Sequence, residues 1–207
     1  TMGDDYDVCD AARVSFNKTA TRYDEAANQK LLDYLAKHDH WSPFSHVMLK
    51  FRFLAPMFIA RQFQKHTVGF AWNEVSRRYV DEDPLFWIPE TFRKKAENKK
   101  QGSTQEGETP VTGEVLDEYM AYMDEATLQY RALKQKNICP EQIRALMPQA
   151  MLTEWIWTGS LWAWVRFCTL RIGDHAQHEC KDYAKEVVRK IKKHFPMCFA
   201  ALDCYRP

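Results

Sequence analysis

This sequence lacks most of the short motifs that would assign a common activity at sight. Its seven glycines form no GxGxxG pattern, which excludes a Rossmann-type nucleotide loop. It contains no HExxH pair of a zinc protease and no GxSxG elbow of a serine hydrolase. Its six cysteines include no CxxC pair. We therefore expect reduced, mostly buried thiols in a cytosol-like compartment, not a disulfide framework.

Charge imbalance and long apolar runs are absent as well. The chain has 29 basic and 28 acidic residues, so its net charge of +1 gives no general attraction to nucleic acid or acidic lipid. No apolar run approaches the roughly 18 residues of a membrane span, and no secretory leader is visible. We expect a cytoplasmic protein, in a bacterial cell or in the host cytoplasm if viral. The first residue is Thr1 and not methionine, which leaves N-terminal trimming open.

Chain length and turn-forming residues indicate the domain organisation. A chain of 207 residues and 24.4 kDa can bury one sizeable core, although two small domains are an alternative. No repeat or linker divides it, so we predict a single domain over residues 1–207. Residues 94–113 are polar and contain three glycines and one proline, which predicts a mobile surface loop.

The hydrophobic periodicity alternates between helical and strand patterns, which predicts an α+β fold. A helix that begins after Pro56 and breaks at Gly69 would place Arg61 beside Lys65, and Gln62 beside His66. The other predicted elements are helices over 24–38, 113–136, 160–170 and 176–194, a short helix between Pro140 and Pro148, and strands over 47–53 and 151–158.

Residues 61–79, RQFQKHTVGFAWNEVSRRY, hold the densest cluster of groups able to bind an anion. A hydroxyl beside paired guanidinium groups suits a phosphate monoester, because the planar arginine fork binds its oxygens bidentately. A solvated charged turn is the alternative interpretation. The candidate ligands are Arg61, Gln62, Lys65, His66, Ser76, Arg77 and Arg78.

Four segments together resemble a known family. Asn73-Glu74-x-Ser76-x-Arg78-Tyr79 is accompanied by AARVSF at 11–16, HWSPFxH at 40–46 and LRxxDHAQ at 170–177. In this order they resemble the flavin-dependent thymidylate synthases, the ThyX family, over nearly the whole chain. The family's RHR triplet is replaced here by Lys65-His66-Thr67, and eight residues, not seven, separate the triplet from Ser76.

The resemblance implies an activity, cofactors and an assembly. The reaction would be reductive methylation of dUMP to dTMP, with methylenetetrahydrofolate giving the carbon and NADPH giving reducing equivalents through FAD. The fold would be an antiparallel sheet flanked by helices, assembled as a homotetramer with shared active sites. The partners would be dUMP, folate and NADPH, with no nucleic acid or membrane. A dUMP hydroxymethylase and a non-catalytic nucleotide-binding protein remain alternatives.

The same resemblance implies roles for individual residues. Arg171 would be catalytic, since a guanidinium near the uracil carbonyl stabilises negative charge on the ring. Ser76 would act at the phosphate site and not as a nucleophile. Ser160 and Arg166 stand where the family often has asparagines. The implied dUMP ligands are Gln62, Lys65, Glu74, Ser76, Arg77, Arg78, Arg144 and Arg171. The implied FAD ligands are His46, Lys65, His66, Thr67, Glu74, Ser160, Trp162 and Arg166.

Two further groups of residues have ordinary structural interpretations. His175 and His178 lie near Asp174 and Glu179 but match no metal motif, so we expect structural histidines and no metal. Four tryptophans are expected in the core or at a subunit interface, although one could stack on flavin or folate. They are Trp155, Trp157, Trp162 and Trp164.

Overall fold

Helices and a small sheet make up the structure, a computed structural model that describes residues 1–80, 82–90, 92–96, 103 and 113–202. The strands in this part of the chain are β1 (Met48–Pro56), β2 (Phe70–Glu74) and β3 (Leu152–Ser160). The helices are α1 (Asp5–Arg13), α2 (Glu25–Lys37), α3 (Met57–Phe63), α4 (Glu114–Gln135), α5 (Pro140–Ile143), α6 (Leu161–Ile172), α7 (His178–His194) and α8 (Pro196–Leu202). None of these helices combines the length and the apolarity that a membrane span requires.

The three strands form an antiparallel sheet with the order β1-β3-β2. Backbone hydrogen bonds from Leu161 to Val47 and from Met57 to Met151, both 2.9 Å, continue the pairing of β1 with β3 beyond its two ends. Residue numbers rise along β1 as they fall along β3, from the pair Val47 and Leu161 to the pair Met57 and Met151, so the two strands are antiparallel. The predicted α+β class with an antiparallel sheet is confirmed.

Most predicted elements are present because their local signals are strong. Asp24 caps α2 by accepting a hydrogen bond from the Ala27 amide, and Leu32 and Leu35 form its buried face. β1 alternates buried and exposed side chains as expected of a half-buried strand. Helices α4, α6 and α7 and strand β3 also lie where the sequence predicts them, with ends shifted by at most two residues. Helix α5 begins at Pro140 as predicted but ends at Ile143, and a 3-10 helix, Arg144–Leu146, follows it.

Two helices were not predicted. α1 begins with a capping box, in which the Asp4 side chain accepts from the Asp7 amide and the Asp7 side chain accepts from the Asp4 amide. α8 begins at Pro196, and the buried Asp5 carboxylate accepts the amides of Met197 and Cys198 at 3.0 and 2.9 Å. This cap comes from the other end of the chain, so no local pattern could indicate it.

The prediction for α3 is wrong at its C-terminal end. The helix ends at Phe63 with Gln64 as its C-cap, so Lys65 and His66 lie beyond it and are not helical neighbours of Arg61 and Gln62. His66 instead accepts a hydrogen bond from Arg171 of α6. Gly69, with φ of +77°, then leads the chain into β2.

The polar residues that follow the break at Gly69 predict a loop over 73–78, and this prediction also needs correction. Asn73 and Glu74 are the last residues of β2, because backbone pairing with β3 extends to the bond from the Val75 amide to the Glu154 carbonyl, 2.9 Å. Only the residues from Val75 onward form the turn. Of the predicted mobile loop at 94–113, residues 97–102 and 104–112 lie outside the described residues.

The chain divides into two compact units, each built from separate segments. The first unit is Thr1–Arg52, His66–Trp72 and Ile156–Pro207, and the second unit is Phe53–Lys65 and Asn73–Trp155.

Aromatic side chains fill both cores. In the first unit, Trp157, Trp164 and Phe167 pack edge-on, with ring centroids 4.8–5.6 Å apart. In the second unit, Trp155 stacks on Phe53 at 5.1 Å. The predicted core position of the tryptophans is thus confirmed for these three, which are almost fully buried.

The described cysteines carry free thiols, as expected. Cys9, Cys168, Cys180 and Cys198 are buried, whereas Cys139 is exposed at the N-terminus of α5. Burial raises the pKa of Cys9 and of Cys180 to about 11. These two thiols are therefore protonated at neutral pH and are not activated nucleophiles.

Candidate active site

The turn that follows β2 presents the serine and arginines of the predicted phosphate site. The Ser76 carbonyl accepts the amides of Tyr79 and Val80, and its hydroxyl accepts the amide of Arg78 at 3.3 Å. A serine hydroxyl that bonds the backbone two residues ahead stabilises such a turn. Ser76 and Arg78 are thus held close together by local geometry.

An acidic residue of α5 joins two predicted substrate arginines of the second unit. Arg78 forms an ion pair with Glu141, whose Oε1 lies 2.5 Å from Nη2, and both side chains are about half exposed. Arg144 donates from Nε to the Glu141 carbonyl at 3.4 Å. The sequence indicated both arginines separately; in the structure Arg78 contacts the carboxylate of Glu141 and Arg144 contacts its backbone carbonyl.

Arg77 faces a different part of the second unit. One of its guanidinium nitrogens donates to the backbone carbonyl of Glu82. This contact anchors the segment after the turn, so the guanidinium has a structural partner. Its predicted role as a dUMP ligand stays a prediction.

Glu74 is held by a residue that the sequence did not single out. The hydroxyl of Thr153, a residue only 6% exposed, donates to Oε1 of Glu74 at 2.7 Å. Thr153 lies on β3, the strand paired with β2, so the sheet brings the two side chains together. Only the strand pairing could have revealed Thr153, since it lies in an ordinary strand pattern.

The first unit joins two predicted site residues that are far apart in sequence. Arg171, in the last turn of α6, donates from Nε to Nε2 of His66 at 2.9 Å. The imidazole lies edge-on to Phe167 and Trp157, with centroid distances of 5.1 and 6.4 Å. Burial, and then the charge of Arg171, lower the pKa of His66 to about 4. His66 is therefore neutral at physiological pH.

A cleft in the first unit contains two of the predicted cofactor ligands. Its volume is about 740 Å³, and Trp162 and Arg166 of α6 line it together with Asp33 and Lys37 of α2. Ser160 does not line this cleft: it is buried and its hydroxyl caps α6 by accepting the Ala163 amide at 3.2 Å. An aromatic ring beside a guanidinium suits a flat anionic ligand.

The remaining predicted ligands lie at several surface positions. His46 is exposed at the end of the 3-10 helix Pro43–Ser45. Gln62 is half-buried on α3, whereas Lys65 and Thr67 are exposed in the segment between α3 and β2. Among the described residues, no group of three or more histidine, cysteine or acidic side chains could hold a metal ion.

Similarity to known proteins shows the family of this chain. Residues 1–197 match the family described as Thymidylate synthase complementing protein. The chain is 38% identical over 208 residues to a flavin-dependent thymidylate synthase of Thermus thermophilus, covering 98% of this chain and 73% of the relative. It is 32% identical over 200 residues to that of Thermosipho africanus, covering 97% and 86%. This chain belongs to the flavin-dependent thymidylate synthase family.

Solved structures agree with that assignment. The UMP/dUMP methylase PolB from Streptomyces cacaoi, bound with 5-Br dUMP, superimposes with a TM-score of 0.82 at 25% identity, covering 99% of this chain and 93% of that one. The same methylase bound with 5-Br UMP gives a TM-score of 0.80. This member of the flavin-dependent thymidylate synthase family thus shares its fold with a nucleotide methylase.

One family segment has a structural role in this flavin-dependent thymidylate synthase chain. Arg13, from the AARVSF segment, is only 8% exposed and donates to the Asn28 side chain at 2.7 Å. Its guanidinium also lies 4.0 Å from the centroid of the Tyr23 ring. Arg13 therefore links α1 to α2.

Proposed function

We propose that this protein catalyses the reductive methylation of dUMP to dTMP, with methylenetetrahydrofolate as the carbon donor and NADPH as the reductant, through bound FAD. The observation that carries the proposal is the match of nearly the whole chain to flavin-dependent thymidylate synthases. The similar UMP/dUMP methylase, which binds brominated dUMP, supports a pyrimidine nucleotide as the substrate.

The second unit supplies groups that suit the nucleotide phosphate. Ser76 offers a hydroxyl and Arg78 offers a guanidinium within one turn. A phosphate dianion carries more charge and more acceptor oxygens than the single carboxylate of Glu141, so it would compete for Arg78. Arg144, whose Nε donates to the Glu141 carbonyl, would add a second cation.

The first unit supplies a group that suits the pyrimidine ring. The guanidinium of Arg171 offers a cationic group of hydrogen-bond donors, and neutral His66 adds no competing charge beside it. Such a donor stabilises the negative charge that develops on the ring when carbon 5 acts as a nucleophile or carbon 6 is attacked. The raised pKa values of Cys9 and Cys180 make these two buried thiols poor nucleophiles.

The residues of the cleft fit a flavin in their chemistry. Trp162 offers an aromatic face and Arg166 offers a cation for the diphosphate. Lys65 is exposed and keeps the positive charge that arginine has in the family triplet, although Thr67 does not. When bound, FAD would supply the hydride chemistry, and the protein would supply orientation and electrostatics.

We further propose that the chain assembles as a homotetramer, as the family resemblance implies. Light scattering of the purified protein would give four times the 24.4 kDa chain mass if this is correct.

The reaction itself is tested by product analysis. We expect a yellow purified protein whose absorbance shows flavin bands, and conversion of dUMP to a product with the mass of dTMP when both co-substrates are present. A product with the mass of the hydroxymethyl nucleotide would favour the hydroxymethylase alternative. A colourless protein that binds dUMP without turnover would favour the non-catalytic alternative. Parallel assays with UMP would show whether the 2′-hydroxyl is tolerated.

Arg171→Lys tests the role of the arginine. Lysine keeps the charge but loses the planar fork, so we expect kcat to fall roughly ten- to a hundredfold with a smaller change in dUMP affinity. Arg189→Lys, an exposed arginine of α7 paired with Glu186, is the matched control and should behave as wild type. Normal turnover in Arg171→Lys, or loss of flavin reduction by NADPH, would contradict this assignment.

A further inference from the structure

The hydrogen bond between His66 and Arg171 has a direction that the two side chains dictate. A guanidinium carries donors only, so the Nε2 atom of His66 must be the acceptor at 2.9 Å. An imidazole that accepts at Nε2 is neutral and carries its proton on Nδ1. The contact therefore exists only while His66 is unprotonated.

The surroundings of His66 keep the imidazole in this state and in this orientation. Phe167 and Trp157 lie edge-on around the ring and have no charge to stabilise an imidazolium. Phe167 is fully buried and lies one helical turn before Arg171 on α6. The same helix therefore supplies both an aromatic ring that packs against His66 and the Arg171 guanidinium that donates to it. Partial burial and the adjacent guanidinium both disfavour protonation.

We propose that His66 is a positioning residue whose neutral Nε2 atom holds the guanidinium of Arg171 in the orientation in which it acts on the pyrimidine ring. The proposal rests on the function proposed above for Arg171. A guanidinium is planar and rigid, so a fixed Nε restricts the direction of both terminal nitrogens. This assigns His66 a task on the protein side of the site, different from the cofactor contact that the family resemblance implies.

Two variants separate the acceptor from the rest of the side chain. His66→Phe keeps a ring for the aromatic wall but removes the acceptor, whereas His66→Gln places an amide oxygen near the position of Nε2. We expect His66→Phe to lower kcat roughly ten- to a hundredfold, with dUMP affinity and flavin content changing less than about threefold. His66→Gln should recover most of the lost turnover. His38→Gln, an exposed histidine of the same unit, is the matched control and should match wild type.

A second measurement does not depend on activity. In protein labelled with ¹⁵N-arginine, the Nε–H resonance of Arg171, assigned by its loss in Arg171→Lys, should exchange slowly with solvent in wild type and in His66→Gln. It should exchange fast or vanish in His66→Phe, because the Nε–H has lost its acceptor.

The outcomes distinguish this proposal from the proposed function. Wild-type turnover in His66→Phe, or an unchanged Arg171 resonance in that variant, overturns the positioning role. Equal loss of flavin from both His66 variants with an unchanged resonance also overturns it and makes His66 a cofactor ligand. If the wild-type protein forms no dTMP, the proposed function fails, and the resonance alone then decides whether His66 holds Arg171.

Discussion

Glu141 determines how readily Arg78 can meet an anion, because its carboxylate already occupies one edge of the guanidinium. Both side chains are about half exposed, so the ion pair is screened by water and salt. Such a pair orders the arginine without holding it strongly. A nucleotide phosphate would then find Arg78 oriented and would displace the carboxylate at small cost.

Replacing Glu141 with glutamine should strengthen binding of the phosphate group. Since an exposed pair contributes little, we expect dUMP and inorganic phosphate to bind up to about fivefold more tightly to Glu141→Gln by isothermal titration calorimetry. Glu186→Gln, which removes the acid paired with Arg189 on α7, makes the same charge change elsewhere and should leave both affinities unchanged. Weaker dUMP binding in Glu141→Gln would mean that Glu141 itself contacts the nucleotide.

His66 should make the stability of the protein depend on pH. Its pKa is about 4 in the folded chain and 6.5 ordinarily, so the unfolded chain binds more protons between these values. The free energy of unfolding should therefore fall as the pH is lowered from about 6.5 to 4. Above pH 6.5 the protonation of His66 should cause no further change in the free energy of unfolding. Urea unfolding at several pH values measures it.

His66→Gln should flatten that pH dependence, since glutamine does not titrate and still offers an acceptor to Arg171. His38→Gln removes a histidine from the same unit without touching Arg171 and serves as the comparison. If His66→Gln and wild type lose stability equally between pH 6.5 and 4, the histidine is not kept neutral by the fold.

At the scale of single elements, β3 has no room for a side chain at Gly159. A Cβ there would lie 2.3 and 2.4 Å from two atoms of the Phe70 ring and 3.1 Å from Nε1 of Trp164. The Phe70 ring cannot retreat easily, because it packs against both Trp157 and Trp164, with centroids 4.5 and 4.8 Å away. The indole of Trp164 in turn donates to the Leu49 carbonyl of β1 at 3.1 Å.

Gly159→Ala should therefore destabilise the protein by about 1–3 kcal/mol, the usual cost of overpacking a core. Gly173→Ala is the matched control, because a Cβ there would meet only an ordinary contact of 3.6 Å with the Thr169 carbonyl. Denaturant unfolding measures the free energy of unfolding of both variants and of the wild type. Equal stabilities would show that Phe70 moves aside without loss.

The ends of helices and strands could be predicted where neighbouring residues set them. The predictions were wrong where a contact with a distant residue sets the end of the element. Asp24 marks the start of α2 by itself, and the alternation in β1 is visible in the sequence. The C-terminal end of α3 was predicted wrongly because Gly69 was the only residue in the sequence that indicated a helix break. The helix ends six residues earlier, and His66 accepts a hydrogen bond from Arg171. The sequence contains no local mark of that contact.

At the scale of the whole molecule, family motifs predicted the residues of the candidate site but not the contacts among them. Arg78, Arg144, His66 and Arg171 were all predicted as ligands from the order of the motifs. The ion pair of Arg78 with Glu141, the bond of Thr153 to Glu74 and the bond between His66 and Arg171 depend on tertiary packing, which joins residues far apart in the chain. The cofactor ligands His46, Lys65 and Thr67 are exposed and remain predictions.

The cap that Asp5 places on α8 has a consequence for synthesis on the ribosome. Asp5 emerges 192 residues before its partner Met197 and 193 residues before Cys198. At about 5–20 residues per second, the gap between them lasts on the order of 10–40 s. The second unit, Phe53–Lys65 and Asn73–Trp155, is complete before the first unit has its closing segment. Until then water hydrates the Asp5 carboxylate, and Val8 of α1, which is fully buried in the folded chain, lacks part of its packing. We therefore expect the first unit to reach its final packing only late in synthesis.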